Sequence, residues 1–160
     1  REVLAFELDG EPVSSSRVRQ AVEAGDIARA TKLLGHRYFI RGSVVEGAKR
    51  GRTIGIPTAN LSGVETLLPA EGVYAVKVET RDRKRYTGAG NIGPNPTFGE
   101  RSRKIEIHLL DFAGDLYGTE LKVEFLGRLR ETKKFGGADE LIRQMRTDVK
   151  AARDLGEQEN

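Results

Sequence analysis

Thr58 and Asn60 are two neutral oxygen donors two residues apart, and a strand would project both on one face. Pro57 leads into them, at the end of a segment in which Gly42, Gly47, Gly51 and Gly55 stand five, four and four apart around Lys49, Arg50 and Arg52. Glycine lets a main chain approach a phosphate closely, and the cations offset the charge of a polyphosphate. A hard cation such as Mg²⁺, already carried by nucleotide phosphates, accepts a hydroxyl and an amide without a dedicated carboxylate cage. On spacing alone the same residues equally describe a solvated hairpin followed by a strand that ends in a turn. Both readings stand at this level.

Two other patterns bear on chemistry. Gly88-Ala89-Gly90-Asn91-Ile92-Gly93 spells the G-x-G-x-x-G dinucleotide fingerprint, but Pro94-Asn95-Pro96 follows it. Prolines two apart deny the helix whose N-terminus would face a pyrophosphate, so a Rossmann site is rejected. No glycine is followed by Lys and then Ser or Thr, which rules out a Walker A loop. Lys104-Ile105-Glu106-Ile107-His108-Leu109 alternates strictly, placing the three apolar residues toward a core and Glu106 on the opposite, accessible face. By pattern alone such a glutamate is a solvated charge. His108 and His36 read as ordinary surface or strand-edge histidines.

The elements that must position these residues fall into three parts. Between Ser14 and Leu34 apolar residues recur at helical spacing, with Gly25-Asp26 as a stop and a new N-cap, which predicts a short helical pair. Beyond Gly35, β-branched and aromatic runs separated by Gly, Pro, Asn and Asp predict strands near 37–46, 53–60, 72–80, 84–92, 103–112 and 121–127. Six curved strands with internal glycines predict a mainly β fold, an antiparallel Greek-key-like barrel. After Phe135, Leu141, Ile142, Met145, Val149 and Ala152 form one apolar stripe, predicting a C-terminal helix that packs across the barrel. The polar end, residues 156–160, is expected to fray.

Composition narrows the function classes. The 160 residues suit one principal domain, and a net charge of +3 with both signs interspersed gives no polybasic patch for nucleic acid. Only 4 Tyr and 6 Phe are present, too few for an aromatic and basic stripe that would stack bases. The absence of cysteine excludes disulfides, zinc-thiolate sites and thiol catalysis, and fits a cytoplasmic setting. No apolar run approaches a membrane span. The first residue is Arg1, so a piece of a longer polypeptide is expected.

Gly51 through Leu61, with its GIPTANL core, resembles the signature of the riboflavin kinase family. Four further segments match that family in order: residues 68–74, residues 91–98, residues 105–112 with Asp115-Leu-Tyr-Gly118, and Leu129-Arg130 leading to Phe135. Upstream, residues 13–19 resemble the last nucleotide-binding motif of the adenylyltransferase module in bifunctional bacterial FAD synthetases. The resemblance implies a division into residues 1–34, the end of that module with its linker, and residues 35–160, the kinase domain. It implies transfer of the γ-phosphoryl group of ATP to riboflavin with Mg²⁺, giving FMN and ADP. Glu106 would then be the base for the ribityl 5′-hydroxyl, Thr58 and Asn60 the metal ligands, and the glycine-rich segment the nucleotide site. Asn91, Arg130, Phe135, Leu141 and Met145 are the expected flavin contacts. Two positions depart from the family: Asn95 stands where Arg is frequent, and Thr132 where an acidic residue is frequent. The competing reading is a non-catalytic flavin- or nucleotide-binding barrel, which would need no base and no metal ligands.

Overall fold

The computed structural model describes residues 7–8, 10–99 and 101–159. A two-residue hairpin, β1 (Glu7–Leu8) with β2 (Glu11–Pro12), opens the described chain. The helical pair follows as α1 (Ser15–Glu23) and α2 (Ile27–Leu34), and each helix begins at the cap its sequence supplies. The Ser14 hydroxyl accepts from the Arg17 N–H at 3.3 Å and the Asp26 carboxylate from the Arg29 N–H at 3.0 Å, satisfying donors that a helix start leaves open. Gly25 joins the helices at φ +73°, where a Cβ would also lie 2.8 Å from the Tyr74 hydroxyl. Backbone shape and close approach both demand glycine there.

The barrel strands are β3 (Phe39–Val45), β4 (Ala59–Ser62), β5 (Gly72–Glu79), β6 (Arg85–Gly93), β7 (Lys104–Leu109) and β8 (Glu120–Arg130). They close in the order β3-β4-β7-β6-β5-β8, every pair antiparallel. The β5-β6-β7 meander with β8 returning beside β5 is the Greek-key arrangement. Ile40, Tyr74, Val76, Ile107, Val123 and Phe125 fill the interior, all fully buried. The dinucleotide-like glycines belong to this packing. A Cβ on Gly90 would lie 2.9 Å from Ile107 Cδ1 and one on Gly88 2.7 Å from the His108 carbonyl oxygen, so β6 carries glycine where its neighbours press inward. The strand runs on through Gly93 and only a 3₁₀ turn, Pro96–Phe98, follows.

The expected strand over 53–60 is corrected. Residues Arg50–Thr53 form a single helical turn, α3, and β4 begins only at Ala59. The Ile56 N–H donates to the Gly51 carbonyl at 2.8 Å, folding Thr53, Ile54 and Ile56 into a turn despite their β-branched side chains.

α4 (Ala138–Gln158) lies across the outer face of β5, β6 and β8. The expected fraying from residue 156 is also corrected, because the helix continues to Gln158 and Gly156 is buried. A Cβ at Gly156 would come within 2.6 Å of Thr87, and one at Gly127 within 3.2 Å of Leu155. Small residues on both surfaces therefore set the distance of approach. Lys77 caps this end, its Nζ 3.4 Å from the Gly156 carbonyl.

Candidate functional site

Register, rather than sequence proximity, assembles the site. Asn60 pairs with Glu106, Glu106 with Asn91, Asn91 with Val73, and Val73 with Arg130. Directly paired residues share a face of the sheet. Ile105, Ile107 and Leu109 are buried inside, so this five-residue row runs over the outside of the barrel, from β4 across β7, β6 and β5 to β8. Glu106 is half-buried at the point where the cover of α4 gives way.

One cleft opens on this surface, and a second reaches past Thr58 to the inward residues Val44, Ile107 and Leu109. The first spans about 650 Å³ with open solvent included, and carries Glu106, Asn91 and Arg130 from the row. Phe135, Leu141 and Met145 form its apolar side, and Asn95 and Thr132 also line it. The second, about 860 Å³, lies between Arg52, Pro57 and the loop carrying Phe112, Leu116 and Tyr117. Thr58 lines both clefts.

His108 is corrected from a bland surface histidine to a cleft residue. Its Nδ1 lies 2.7 Å from the Pro57 carbonyl oxygen. A carbonyl only accepts, so Nδ1 carries the proton. The bond ties β7 to the segment just before Thr58, where no ladder bond yet does so. His36 keeps its expected local role, with Nδ1 2.9 Å from the Arg37 carbonyl oxygen.

Arg130 is held by a carboxylate that sequence reasoning missed. Asp148 of α4 accepts from Arg130 Nε at 3.0 and 3.1 Å and from its second terminal nitrogen at 2.8 Å. The remaining terminal nitrogen donates to the Glu131 carbonyl at 3.0 Å. Gln144 also donates to Asp148, at 3.0 Å. The guanidinium sits 5.5 Å from the centre of the Phe135 ring, with Lys133 at 5.6 Å. Asp148 was legible in principle, since it occupies the buried stripe of α4 at i+3 from Met145 and i−4 from Ala152. A charge on such a stripe signals a partner.

The glycine-rich segment divides. Gly42 lies within β3, where a Cβ would meet the Ser62 carbonyl oxygen at 2.9 Å, and it lines neither cleft. Gly47 makes room for Asn60, whose amide group a Cβ there would overlap. Gly51 closes the α3 turn against the Ile56 carbonyl, and Gly55 turns the chain at φ +76°. Lys49 pairs with Glu46 at 3.1 Å, and both Lys49 and Arg52 lie 5.9 Å from the Tyr117 ring centre beside the second cleft. The side chain of Arg50 falls outside the described residues.

Among the described residues no cluster of three or more His, Asp or Glu could cage a metal. The hydroxyl of Thr58 and the amide of Asn60 are neutral oxygen donors of the kind that a cation already bearing phosphate oxygens accepts, but they open onto different spaces. Asn60 and Glu106 are cross-strand partners, whereas Asn60 itself opens toward a recess with Gly47 and Lys104 rather than toward either cleft.

A closed barrel with two clefts that share one threonine, and a carboxylate in the wall of one of them, can seat two ligands side by side. The chain belongs to the riboflavin kinase family, whose model, described as Flavokinase, matches residues 34–155. A bifunctional riboflavin kinase/FMN adenylyltransferase of Bacillus subtilis is 44% identical over 144 residues, covering 88% of this chain and 45% of that protein. The chain thus spans about half the length of the curated relatives it matches. A solved structure from Streptococcus pneumoniae, described as a macrolide-efflux protein, superposes with a TM-score of 0.85 at 40% identity, over 94% of this chain and 50% of that one. The riboflavin kinase of Trypanosoma brucei superposes with a TM-score of 0.52 at 25% identity, over 73% of this chain and 75% of that one. No helix among the described residues is long and apolar enough to cross a membrane.

Proposed function

We propose that this chain transfers the γ-phosphoryl group of Mg-ATP to the ribityl 5′-hydroxyl of riboflavin, giving FMN and ADP. The observation that carries the reading is the junction: Thr58 lines both clefts and Glu106 lines the first beside it. The first cleft takes the flavin, because its apolar side from Phe135, Leu141 and Met145 suits a flat aromatic ring. The second takes the nucleotide, with Arg52 and Lys49 near the phosphates, and Gly47, Gly51, Gly55 and Pro57 shaping the turn that leads to Thr58.

Glu106 accepts the proton of the 5′-hydroxyl. That oxygen forms the new bond to the γ-phosphorus, while the bond from phosphorus to the β,γ-bridging oxygen breaks and its electron pair leaves with ADP. Thr58, at the junction of the clefts, and Asn60, from the recess beside it, would hold a cation carried in by the nucleotide, and that cation would supply charge neutralisation to the phosphates. His108 holds Pro57, and through it the approach of Thr58.

Residues 1–34 are read as the end of an adenylyltransferase module with its linker, and residues 35–160 as the kinase domain. The isolated chain then makes FMN but does not convert FMN to FAD. A cysteine-free enzyme that consumes ATP fits a cytoplasmic setting. Chromatography of a reaction holding riboflavin, ATP and Mg²⁺ tests both statements. FMN with no FAD is expected; absence of FMN overturns the kinase reading, and FAD overturns the division at residue 34.

A further inference from the structure

We propose that Thr132 and Asn95, which line the same cleft, are a specificity-determining pair that reads the neutral polar edge of the flat ring bound there; the inference rests on the flavin reading of that cleft. The Thr132 hydroxyl is buried, yet its Oγ1 has no hydrogen-bond partner among the described residues. A buried hydroxyl left unpaired costs folding free energy, so its retention at a cleft wall points to a ligand that completes it. The other atom of this kind, Arg128 Nε, is not part of the cleft lining.

The surroundings favour a neutral recognition group. Arg130, a cation of the same cleft, is engaged by Asp148 and the Glu131 carbonyl. Lys133 lies over the Phe135 ring. Asn95, although it begins the 3₁₀ turn, makes no side-chain capping bond to it. The Phe135 N–H donates to the Thr97 hydroxyl at 3.3 Å, joining the loop that carries Asn95 to the loop that carries Thr132. Both polar side chains are thereby held on one frame.

A threonine hydroxyl and an asparagine amide can each donate and accept. Together they match an imide edge, in which a ring N–H is flanked by two carbonyls, and they offer a carboxylate no charge. Position agrees with this. Arg130 lies three interstrand spacings from Glu106 along the row, roughly 14 Å, and Thr132 follows two residues later. Glu106, Asn95 and Thr132 all line the first cleft, so a ligand with its reacting hydroxyl at Glu106 can extend its ring toward this pair.

The test compares the parent chain with Thr132→Val, which keeps the shape and loses the hydroxyl, and with Thr132→Ser, which keeps the hydroxyl. Riboflavin and N3-methylriboflavin, whose imide N–H is blocked, are titrated by flavin fluorescence, Mg-ADP by calorimetry, and the ligand-free melting midpoint is recorded. Thr132→Val is expected to weaken riboflavin about three- to tenfold, the loss of one hydrogen bond, with Mg-ADP affinity unchanged. Its ligand-free midpoint should stay level or rise, because the unpaired hydroxyl is gone. Thr132→Ser should bind riboflavin like the parent, and Thr132→Val should lose much of the preference for riboflavin over the N3-methyl analogue. A parent-like riboflavin affinity in Thr132→Val overturns the inference alone, and so does a midpoint that falls together with affinity, which marks a structural role. A parent chain that fails to bind riboflavin overturns the flavin reading first and this inference with it.

Discussion

β5 and β3 are neighbours of the same strand, β8, and both contribute to the barrel interior, yet they face different worlds on the outside. Seven of the eight residues of β5 are buried, whereas β3 alternates strictly between buried and exposed. The difference is α4, which covers β5 and its flanks β6 and β8 and, among the described residues, packs far less on β3, β4 and β7. Where the covered wall meets the open one, a strand can present a carboxylate to a cleft that is apolar on one side and accessible on the other. Glu106 stands on that boundary, with Asn91 toward the covered side and Asn60 toward the open side.

The largest effect should come from the boundary residue itself. Glu106→Gln keeps size and hydrogen-bonding reach but removes basicity, and single-turnover FMN formation at saturating riboflavin and Mg-ATP should slow by roughly 10²–10⁴. A rate within about threefold of the parent would return Glu106 to the status of a solvated strand carboxylate. Next comes the tie that holds the cover in place. Asp148→Asn leaves the Arg130 charge with its main partner neutralised, in a site where Asp148 is 7% and Arg130 21% exposed. A loss of about 3 kcal/mol is expected in urea denaturation, the low end for breaking a buried pair because Arg130 retains some water. A loss under about 0.5 kcal/mol would show that α4 is docked by its apolar stripe alone.

The far end of the cover offers a smaller effect. Gly156→Ala would push a methyl to 2.6 Å from Thr87, and overpacking should outweigh the gain in helix propensity, for a net loss of about 1 kcal/mol. Combining it with Thr87→Ala should recover most of that loss, and thermal melts of the three variants would show whether contact at this point sets the height of the helix. Smallest is an acid-side effect at Glu124, which lies between Lys77 of β5 and Phe39 of β3 in register. Burial alone would raise this carboxyl, but a hydrogen bond from Lys122 and the charges of Lys122, Arg85 and Arg37 hold it below its ordinary value. A depressed carboxyl adds stability above its unfolded pKa, and that increment disappears as pH falls through the folded value. Glu124→Gln should therefore flatten the decline of stability below about pH 4.5, and parallel pH curves for parent and variant would remove Glu124 from the acid transition.

Much of this architecture was readable along the chain. Ser14 and Asp26 announce the helix starts because a capping oxygen acts within three residues. Ile105, Ile107 and Leu109 announce an inward face because alternation is local too. The segment 53–58 misleads for the opposite reason: Thr53, Ile54 and Ile56 favour a strand, and the turn they adopt depends on a bond to Gly51. At the C-terminal end, polarity says nothing of Thr87 waiting beneath Gly156. The site follows the same division. Thr58, Asn91 and Glu106 lie in motifs that a family resemblance can carry, and the structure brings Thr58, Asn91 and Glu106 to one cleft. The bond from His108 to Pro57 and the clasp of Asp148 on Arg130 join residues far apart in sequence, and no local pattern encodes them.

Closure of the barrel has a kinetic consequence. Ile40 lies opposite Val123, so the first barrel strand is stitched to the last only after the intervening chain has been made and ordered. During synthesis β3 must wait with its inward residues Ile40 and Val44 unsheltered, while the β5-β6-β7 meander, whose partners follow one another, can form first. A sheet completed by so distant a pairing should fold in milliseconds to seconds rather than microseconds, and the last step should be the one that seals β3 against β8.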